Sequence, residues 1–405
     1  MPAGPSGVDE PVLHTRSVTS RLGFPLLAYA FAAIMLGTTL PTPMYALYAR
    51  DMHFSVETTT VIYAAYALGV LSALLLFGRW SDAIGRRPVL IAGAVAAIAS
   101  AALFLVADDV SLLLVARVLS GLSAGVFTGT ATAAVIESVP HDQQDKAAAG
   151  ATIANVGGLG LGPIFAGLLV QYLPHPLALP FVIHIVLATL AIVAIILVPE
   201  TSSRTGKIGF QRLSVPAQVR PVFIVAATAG FAGFAVMGLF SAVAPSFLSG
   251  VIGISDHAVA GAISSSIFIA SAAAQLAGRR LDPRRAVAAG CAVLAVAMVI
   301  LAVALQFSSL IGLIVAALVA GIGQGISFSR GLAAVAEGTP TERRAEVSST
   351  YFVVAYVAIS LPVVGLGFAA QRWGLQAAGV SFAIIIGVLT LVCLAAILIQ
   401  ERREG

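Results

Sequence analysis

The chain predicts an all-α polytopic membrane protein of twelve transmembrane helices in two parallel six-helix repeats. Three observations carry that prediction. First, 59% of its 405 residues are hydrophobic and only 10% are charged, and mean hydropathy is +1.01. Soluble domains hold roughly 45–50% apolar and 25% charged residues, so only lipid can solvate this much apolar surface. Second, the apolar residues come in runs of about 20, the length that crosses a hydrocarbon core of ~30 Å as a helix. Backbone groups in lipid must bond within their own segment, and the alternating pattern of an outer-membrane barrel is absent. Third, the chain repeats itself. Gly78, Arg79 and Asp82 return 200 positions later as Gly278, Arg279 and Asp282. The same offset pairs Gly121, Gly125, Glu137 and Pro140 with Gly321, Gly325, Glu337 and Pro340.

The elements follow in order. A polar tail bearing Pro and Gly (1–21) shows no signal-peptide pattern, so no cleaved signal is expected and the first helix is itself the targeting signal. Helix α1 (22–48) contains "LPTP", Leu40 to Pro43. Helices α2 (58–77) and α3 (88–106) flank the charged turn "GRWSDAIGRR". Helix α4 (111–138) carries Arg117 and ends at Glu137, α5 (148–172) holds Pro163, and α6 (179–198) holds His184. A basic linker (199–221) joins this bundle, 22–198, to a second one, 222–399. There α7 (222–248) and α8 (257–277) precede "GRRLDPRR". Then come α9 (286–306), α10 (309–335), α11 (347–370), α12 (377–399) and a short tail, 400–405.

Charge sets the expected orientation. With the N-terminus in the cytoplasm, the 22 Lys and Arg all face inside except four. Arg50 and Arg372 lie outside, and Arg117 and Arg330 lie within helices. Both termini are therefore expected in the cytoplasm of a cell-membrane protein, and the basic pI of 9.3 marks topology and not a nucleic-acid partner. Cys291 and Cys393 sit in apolar runs without a CxxC pair and read as packed thiols. No GxxxxGK[ST], HExxH, GxSxG or metal-ligand cluster occurs, so neither an enzyme nor a cofactor or metal is expected.

Several motifs together resemble the major facilitator superfamily, and more narrowly its twelve-helix drug:proton antiporter branch. The α2–α3 turn matches GxxxD(R/K)xGR(R/K) with Gly78, Asp82, Gly85, Arg86 and Arg87. "RVLSGLSAG" in α4 gives Arg117, Gly121 and Gly125. "GLGLGPIFAG" in α5 gives Gly158, Gly162, Pro163 and Gly167, with Ala166 replacing one glycine. "LPTP" and "PET", Pro199 to Thr201, resemble further family features. The resemblance spans essentially the whole chain. It implies a major facilitator fold, a proton gradient as the energy source, and a kinked α5 that restricts leak and favours antiport. It also implies a charged latch on the cytoplasmic side when the transporter faces outward.

The residues support these positions on their own terms. Arg117, Gly121, Gly125 and Gly129 lie four apart on one helix face, and Gly150, Ala154, Gly158, Gly162 and Ala166 form a similar stripe. Tight packing alone also accounts for such stripes. Pro163 removes the bond to the Leu159 carbonyl and should bend α5. Arg117 lies about six residues, ~9 Å, inside the outer end of α4. It reads either as a structural arginine bonding carbonyls or as a cavity arginine for substrate or proton exchange. Glu137 is expected to pair with Arg86 or Arg87, and Glu337 with Arg279, Arg284 or Arg285; solvated surface charge is the alternative.

Three departures stand out. Ala83 replaces the basic residue after Asp82, Pro283 follows Asp282 with no glycine matching Gly85, and α1 has no Asp or Glu between Arg21 and Arg50. The coupling residue is therefore sought among Asp82, Glu137, Asp282, Glu337 and His184, the last also readable as a hydrogen-bonded structural histidine. A substrate site at the midplane between halves would draw on Thr39, Phe127, Asn155, Phe234, Met237, Phe268, Gln324, Tyr351 and Tyr356, each also readable as core. That apolar set suits amphipathic or cationic-aromatic cargo. The expected function is proton-coupled efflux of amphipathic small molecules or drugs by a monomer through alternating access. A sugar or metabolite transporter is the alternative, and a non-transporting receptor or scaffold a remote one.

Overall fold

The computed structural model describes residues 18–206 and 208–404. Most of the predicted tail 1–21, and with it Arg16, lies outside them, as does Lys207. Among the described residues, twelve helices are long and apolar enough to cross a membrane: α1 Leu22–Asp51, α2 Val56–Phe77, α3 Arg86–Val106, α4 Val110–Glu137, α5 His141–Tyr172, α6 Leu179–Leu197, α7 Ala217–Ala242, α8 His257–Arg280, α9 Pro283–Gln306, α10 Leu310–Glu337, α11 Thr341–Trp373 and α12 Leu375–Gln400. No strand occurs among the described residues. Leu190, Val193, Ile384, Ile385 and Val388 are exposed on α6 and α12, as lipid-facing sides require.

Boundaries differ from the hydropathy reading where polar chemistry sets them. Asp109, Asp256, Asp282 and Ser309 cap α4, α8, α9 and α10 by accepting from Leu112, Val259, Arg285 and Gly312 N–H groups at 2.8–3.1 Å. Helices α5 and α11 begin earlier than predicted because their first turns, with Asp145, Lys146 and Glu346, are polar. Helix α7 ends at Ala242 instead of 248. Val243 leaves the helical region and Pro245, which has no N–H to donate, opens a separate short helix, Ala244–Phe247. Helical structure after α12 continues to Glu404, so the predicted tail at 400–404 is a helical extension.

The two halves repeat one packing plan. Helix α4 lies on α2 and α3, and α10 lies on α8 and α9. A methyl on Gly121 would strike the Tyr66 carbonyl, and one on Gly321 the Ile267 carbonyl, so the repeated glycines bring backbones together at equivalent places. Gly125 and Gly325 continue the contact against Val70 and Ser271.

Two pairs of helices make the most extensive contacts between the halves, α2 with α11 and α5 with α8. The glycines of the α5 stripe face α1, and Gly167, off the stripe, faces α8. Gly158 and Gly162 press on α1 at Ala32 and Leu36, while Gly167 meets the His257 carbonyl of α8. Gly261 of α8 in turn meets the Pro163 carbonyl. Ile164 N–H donates to Ser265 Oγ at 2.9 Å and His257 N–H to Gln171 Oε1 at 2.9 Å. These contacts lie at the end away from the arginine-rich loops and close that end.

Gly261→Ala is expected to lower the thermal unfolding midpoint of the purified protein, because overpacking a backbone contact costs about 1–3 kcal/mol. Gly365 has open space around it, and Gly365→Ala should leave the midpoint unchanged or slightly raised. Equal effects from both substitutions would show that α5–α8 contact is not tight.

Candidate functional site

At the basic end, the α2–α3 turn is organised by Glu200. Its Oε1 accepts from Arg86 N–H at 2.7 Å and its Oε2 from Arg87 N–H at 3.2 Å, so the "PET" glutamate caps α3. Thr201 and Ser202 N–H groups also donate to Oε1, both at 3.1 Å. Gly85 makes this possible. Its φ of 113° suits glycine, and a Cβ there would strike the Glu200 carboxylate. Arg86 donates to Glu137 through Nε at 3.2 Å and Nη2 at 2.9 Å, donates to Ser81 Oγ at 2.6 Å, and pairs with Asp82. Thr201 Oγ1 donates to Glu137 at 2.9 Å. The Asp82–Arg86–Glu137 network therefore forms without a basic residue at Ala83, and it lies wholly within the first half. Arg87 instead donates to the Ile196 carbonyl at the end of α6, at 2.6 Å.

The second loop does not copy the first. Asp282 caps α9, with Pro283 at its first position. Arg279 donates across to the Asp145 carbonyl of α5 at 3.0 Å, and Arg330 donates to the Arg279 carbonyl at 2.8 Å. Glu337 is exposed and forms no ion pair among the described residues, so the expected pairing with the second arginine cluster is corrected.

Deeper in the bundle, Arg117 is 2% exposed. Its Nη1 donates to the Thr38 carbonyl at 2.7 Å, and its guanidinium lies 4.7 Å from the Tyr66 ring centre and 5.6 Å from that of Tyr63. The ring faces take the place of a counter-ion; Arg117 Nε and the Tyr45 hydroxyl are buried without partners. Beyond Tyr66 lies Tyr356 of α11, ring centres 6.4 Å apart. Tyr356 interacts with Thr128 of α4, and Tyr63 with Ser241 of α7. An aromatic layer thus crosses between the halves.

Below this layer, toward the basic end, is a cavity of about 550 Å³ that Gly78 and Ala345 border. Its polar groups are hydroxyls and amides, chiefly Thr128, Thr132, Asn155, Gln275, Ser329 and Ser348. Its aromatic wall is Phe77, Phe328 and Phe352. Among the described residues, no ionisable side chain lines it. Two π-helical turns, Ala73–Phe77 in α2 and Ile153–Gly157 in α5, contribute to the wall. Gln275 is oriented by donation to Ser271 Oγ at 3.1 Å, and Ser271 donates to Gln324 at 2.5 Å.

The family model described as the Major Facilitator Superfamily matches residues 27–363. The chain belongs to the Major Facilitator Superfamily. It is similar to "Inner membrane transport protein YdhP" of Escherichia coli K12, 32% identical over 145 residues, covering 34% of this chain and 37% of that protein. It is also similar to "Multidrug resistance protein MdtM" of Salmonella typhimurium, 31% identical over 209 residues, covering 51% and 50%. The matches thus span between 37% and 50% of these relatives' lengths. The structure of a POT family transporter in complex with 5-aminolevulinic acid aligns with TM-score 0.73 at 14% identity, over 93% of this chain and 95% of that one. The protein is a multi-pass membrane transporter of this superfamily, and the family is not one of enzymes.

Within this superfamily fold, the predicted residues take distinct places. Asn155 lies on the cavity wall and Tyr356 in the layer above it. Phe234 packs edge-on against Phe328, centres 4.9 Å apart, one shell behind the wall. Tyr351 stacks on Phe328 and donates to the Ala226 carbonyl at 3.2 Å. Phe127, Met237, Phe268 and Gln324 are buried away from the cavity. Thr39 donates to the Leu159 carbonyl at 2.8 Å, the group that Pro163 leaves without its helical partner. His184 is 3% exposed, packed on Gly37, and shares a separate small void with Ser123. Cys291 and Cys393 meet thiol to thiol between α9 and α12. Sequence reasoning missed Thr128, Thr132, Gln275, Phe328 and Phe352 because it sought the site at mid-depth. The spacing of Thr128 and Thr132, one turn apart on α4, was the available signal.

Burial alone would raise the pKa of Glu200, but the N–H groups of Ser202, Arg86 and Arg87 and the charge of Arg204 hold it below its ordinary 4.5. A carboxylate lowered by folding contributes stability above its unfolded pKa and loses it as pH falls through the folded value. Glu200→Gln should therefore flatten the acid side of the stability–pH curve and destabilise at neutral pH by about 0.5–2 kcal/mol, the range for a lost cap. Thermal unfolding between pH 3 and 7 measures both, and an unchanged acid limb would refute the capping role.

Proposed function

We propose that this transporter exports amphipathic small molecules by alternating access, driven by a proton gradient, with its basic end in the cytoplasm of a cell-membrane protein. The observation that carries this reading is a cavity of about 550 Å³ between two symmetric halves, bordered by the basic end and closed off from the other. Its mixture of phenyl rings with hydroxyls and amides suits amphipathic cargo. The multidrug resistance name of MdtM, a partial relative, points the same way. Cargo enters from the cytoplasm and leaves after the α5–α8 and α2–α11 contacts at the far end part and the basic end closes. The protein acts as a monomer and uses no cofactor, and its cargo sites are complete within one chain.

Coupling is proposed at the basic end. Asp82 and Glu137 both hold Arg86, and protonating Glu137 would loosen its grip on α4. Arg117 supports the cycle by ordering Tyr63 and Tyr66 where they meet the second half. A sugar or metabolite reading has one specific support, the amides of Asn155 and Gln275 on the wall.

The deciding experiment reconstitutes the purified protein in liposomes with an imposed pH gradient and offers lipophilic compounds and sugars in parallel. Gradient-driven movement of lipophilic compounds is expected, and sugar movement without it would replace the first reading with the second. In the same assay, Glu137→Gln should reduce gradient-driven accumulation at least about tenfold, an effect of ~1.4 kcal/mol, while gradient-free exchange survives. Unchanged gradient-driven accumulation would remove Glu137 from the coupling step.

A further inference from the structure

The linker between the halves is part of the cavity. Gln211 lies on the cavity lining, far in sequence from every helix that builds the rest of it. The linker is tied to the first half by Gly206 N–H donating to the Asp82 carbonyl at 3.1 Å and Gln211 N–H to the Leu75 carbonyl at 2.9 Å. Leu75 belongs to the π-helical turn of α2, so the linker is seated on an irregular stretch of the wall itself. It is tied to the second half by Ser214 N–H donating to Thr350 Oγ1 at 3.1 Å and by Arg343 donating to Ser214 Oγ at 3.2 Å. These anchors hold Gln211 at the α2–α11 side of the cavity, with its Cβ beside Gly78.

We propose that the cavity selects uncharged, hydrogen-bonding aromatic molecules over lipophilic cations, and that Gln211 is a specificity-determining residue supplied by the linker. This deepens the export reading and rests on it. The wall offers hydroxyl and amide partners to a neutral polar group, and phenyl faces to its ring. A cation entering it sheds water and meets no carboxylate, a cost that phenyl faces offset only in part. The nearest fixed charge above the aromatic layer is Arg117, also positive, so the route onward disfavours a cation a second time.

An isosteric pair of probes tests this. Triphenylphosphine oxide is neutral and carries one strong acceptor, while methyltriphenylphosphonium replaces that oxygen by a methyl and carries a positive charge. Binding to the full-length protein in nanodiscs is measured by equilibrium dialysis against empty nanodiscs. The wild-type protein should bind the oxide at least about tenfold more tightly than the phosphonium. Gln211→Glu should shrink or reverse that ratio by at least about fivefold by placing a carboxylate on the wall, and Gln275→Glu serves the same purpose should the first variant fail to fold. Equal or tighter phosphonium binding by the wild type, saturable binding of neither probe, or a ratio unmoved by both variants overturns the proposal. The expected preference without any gradient-driven movement in liposomes supports the cargo class and overturns the proton coupling instead.

Discussion

Within lipid, a backbone N–H or C=O displaced from its helix has no water to bond, and the irregular stretches of this bundle are placed accordingly. Pro163 leaves the Leu159 carbonyl without its helical donor, and Thr39 of α1 supplies one. One residue on, Ile164 N–H turns to Ser265 of the other half. The π-helical turn of α2 offers its Leu75 carbonyl to the linker, and that of α5 carries Asn155 on the cavity wall. Regular helix is what this solvent demands, so these departures from it sit where another element or the cavity can answer them. Those are also the places where the halves meet and where the cavity lies.

The two halves share their helix contacts but not their charged turns. Gly121 and Gly321 recur because close approach of α4 to α2 and of α10 to α8 is the same geometric problem solved twice. The turns that follow α2 and α8 diverge because their environments differ. The first lies beside the start of the linker, where Glu200 can cap α3 and Gly85 makes room for it. In the second, Asp282 caps its own helix and Pro283 takes the first helical position, where a missing N–H costs nothing.

That contrast explains how much could be read beforehand. Hydropathy located all twelve spans because lipid imposes a length, and it misplaced the starts of α5 and α11 because polar first turns carry no hydropathic signal. The Asp82–Arg86–Glu137 network was legible from three charges at predictable helix ends. The role of Glu200 was not, since its partners are backbone N–H groups more than a hundred residues away in the chain. The cavity was legible only at Asn155. Thr39, Gln324 and Tyr351 looked like ligand-binding residues for their polarity, yet their polar atoms bond helix carbonyls or, for Gln324, the Ser271 hydroxyl, a use that one-dimensional patterns cannot separate from binding.

The distribution of bond types bears on how the halves move. The ion pairs among the described residues all lie within one half or within the linker, as Arg86 with Glu137 and Arg343 with Glu346 do. The links between halves are glycine contacts, ring contacts and hydrogen bonds in which at most one partner is charged, such as His257 to Gln171 and Arg279 to the Asp145 carbonyl. A neutral hydrogen bond is worth about 1 kcal/mol net, and solvent-exposed ion pairs such as Arg50 with Asp51 are worth about 0–1 kcal/mol. Under the proposed alternating access, rocking one half against the other would part only a few weak links at the closed end. The ion pairs tie elements within one half or the linker, so under the proposed coupling protonation acts locally on the Asp82–Arg86–Glu137 network, and weak links between the halves would let small free energies decide which end is open.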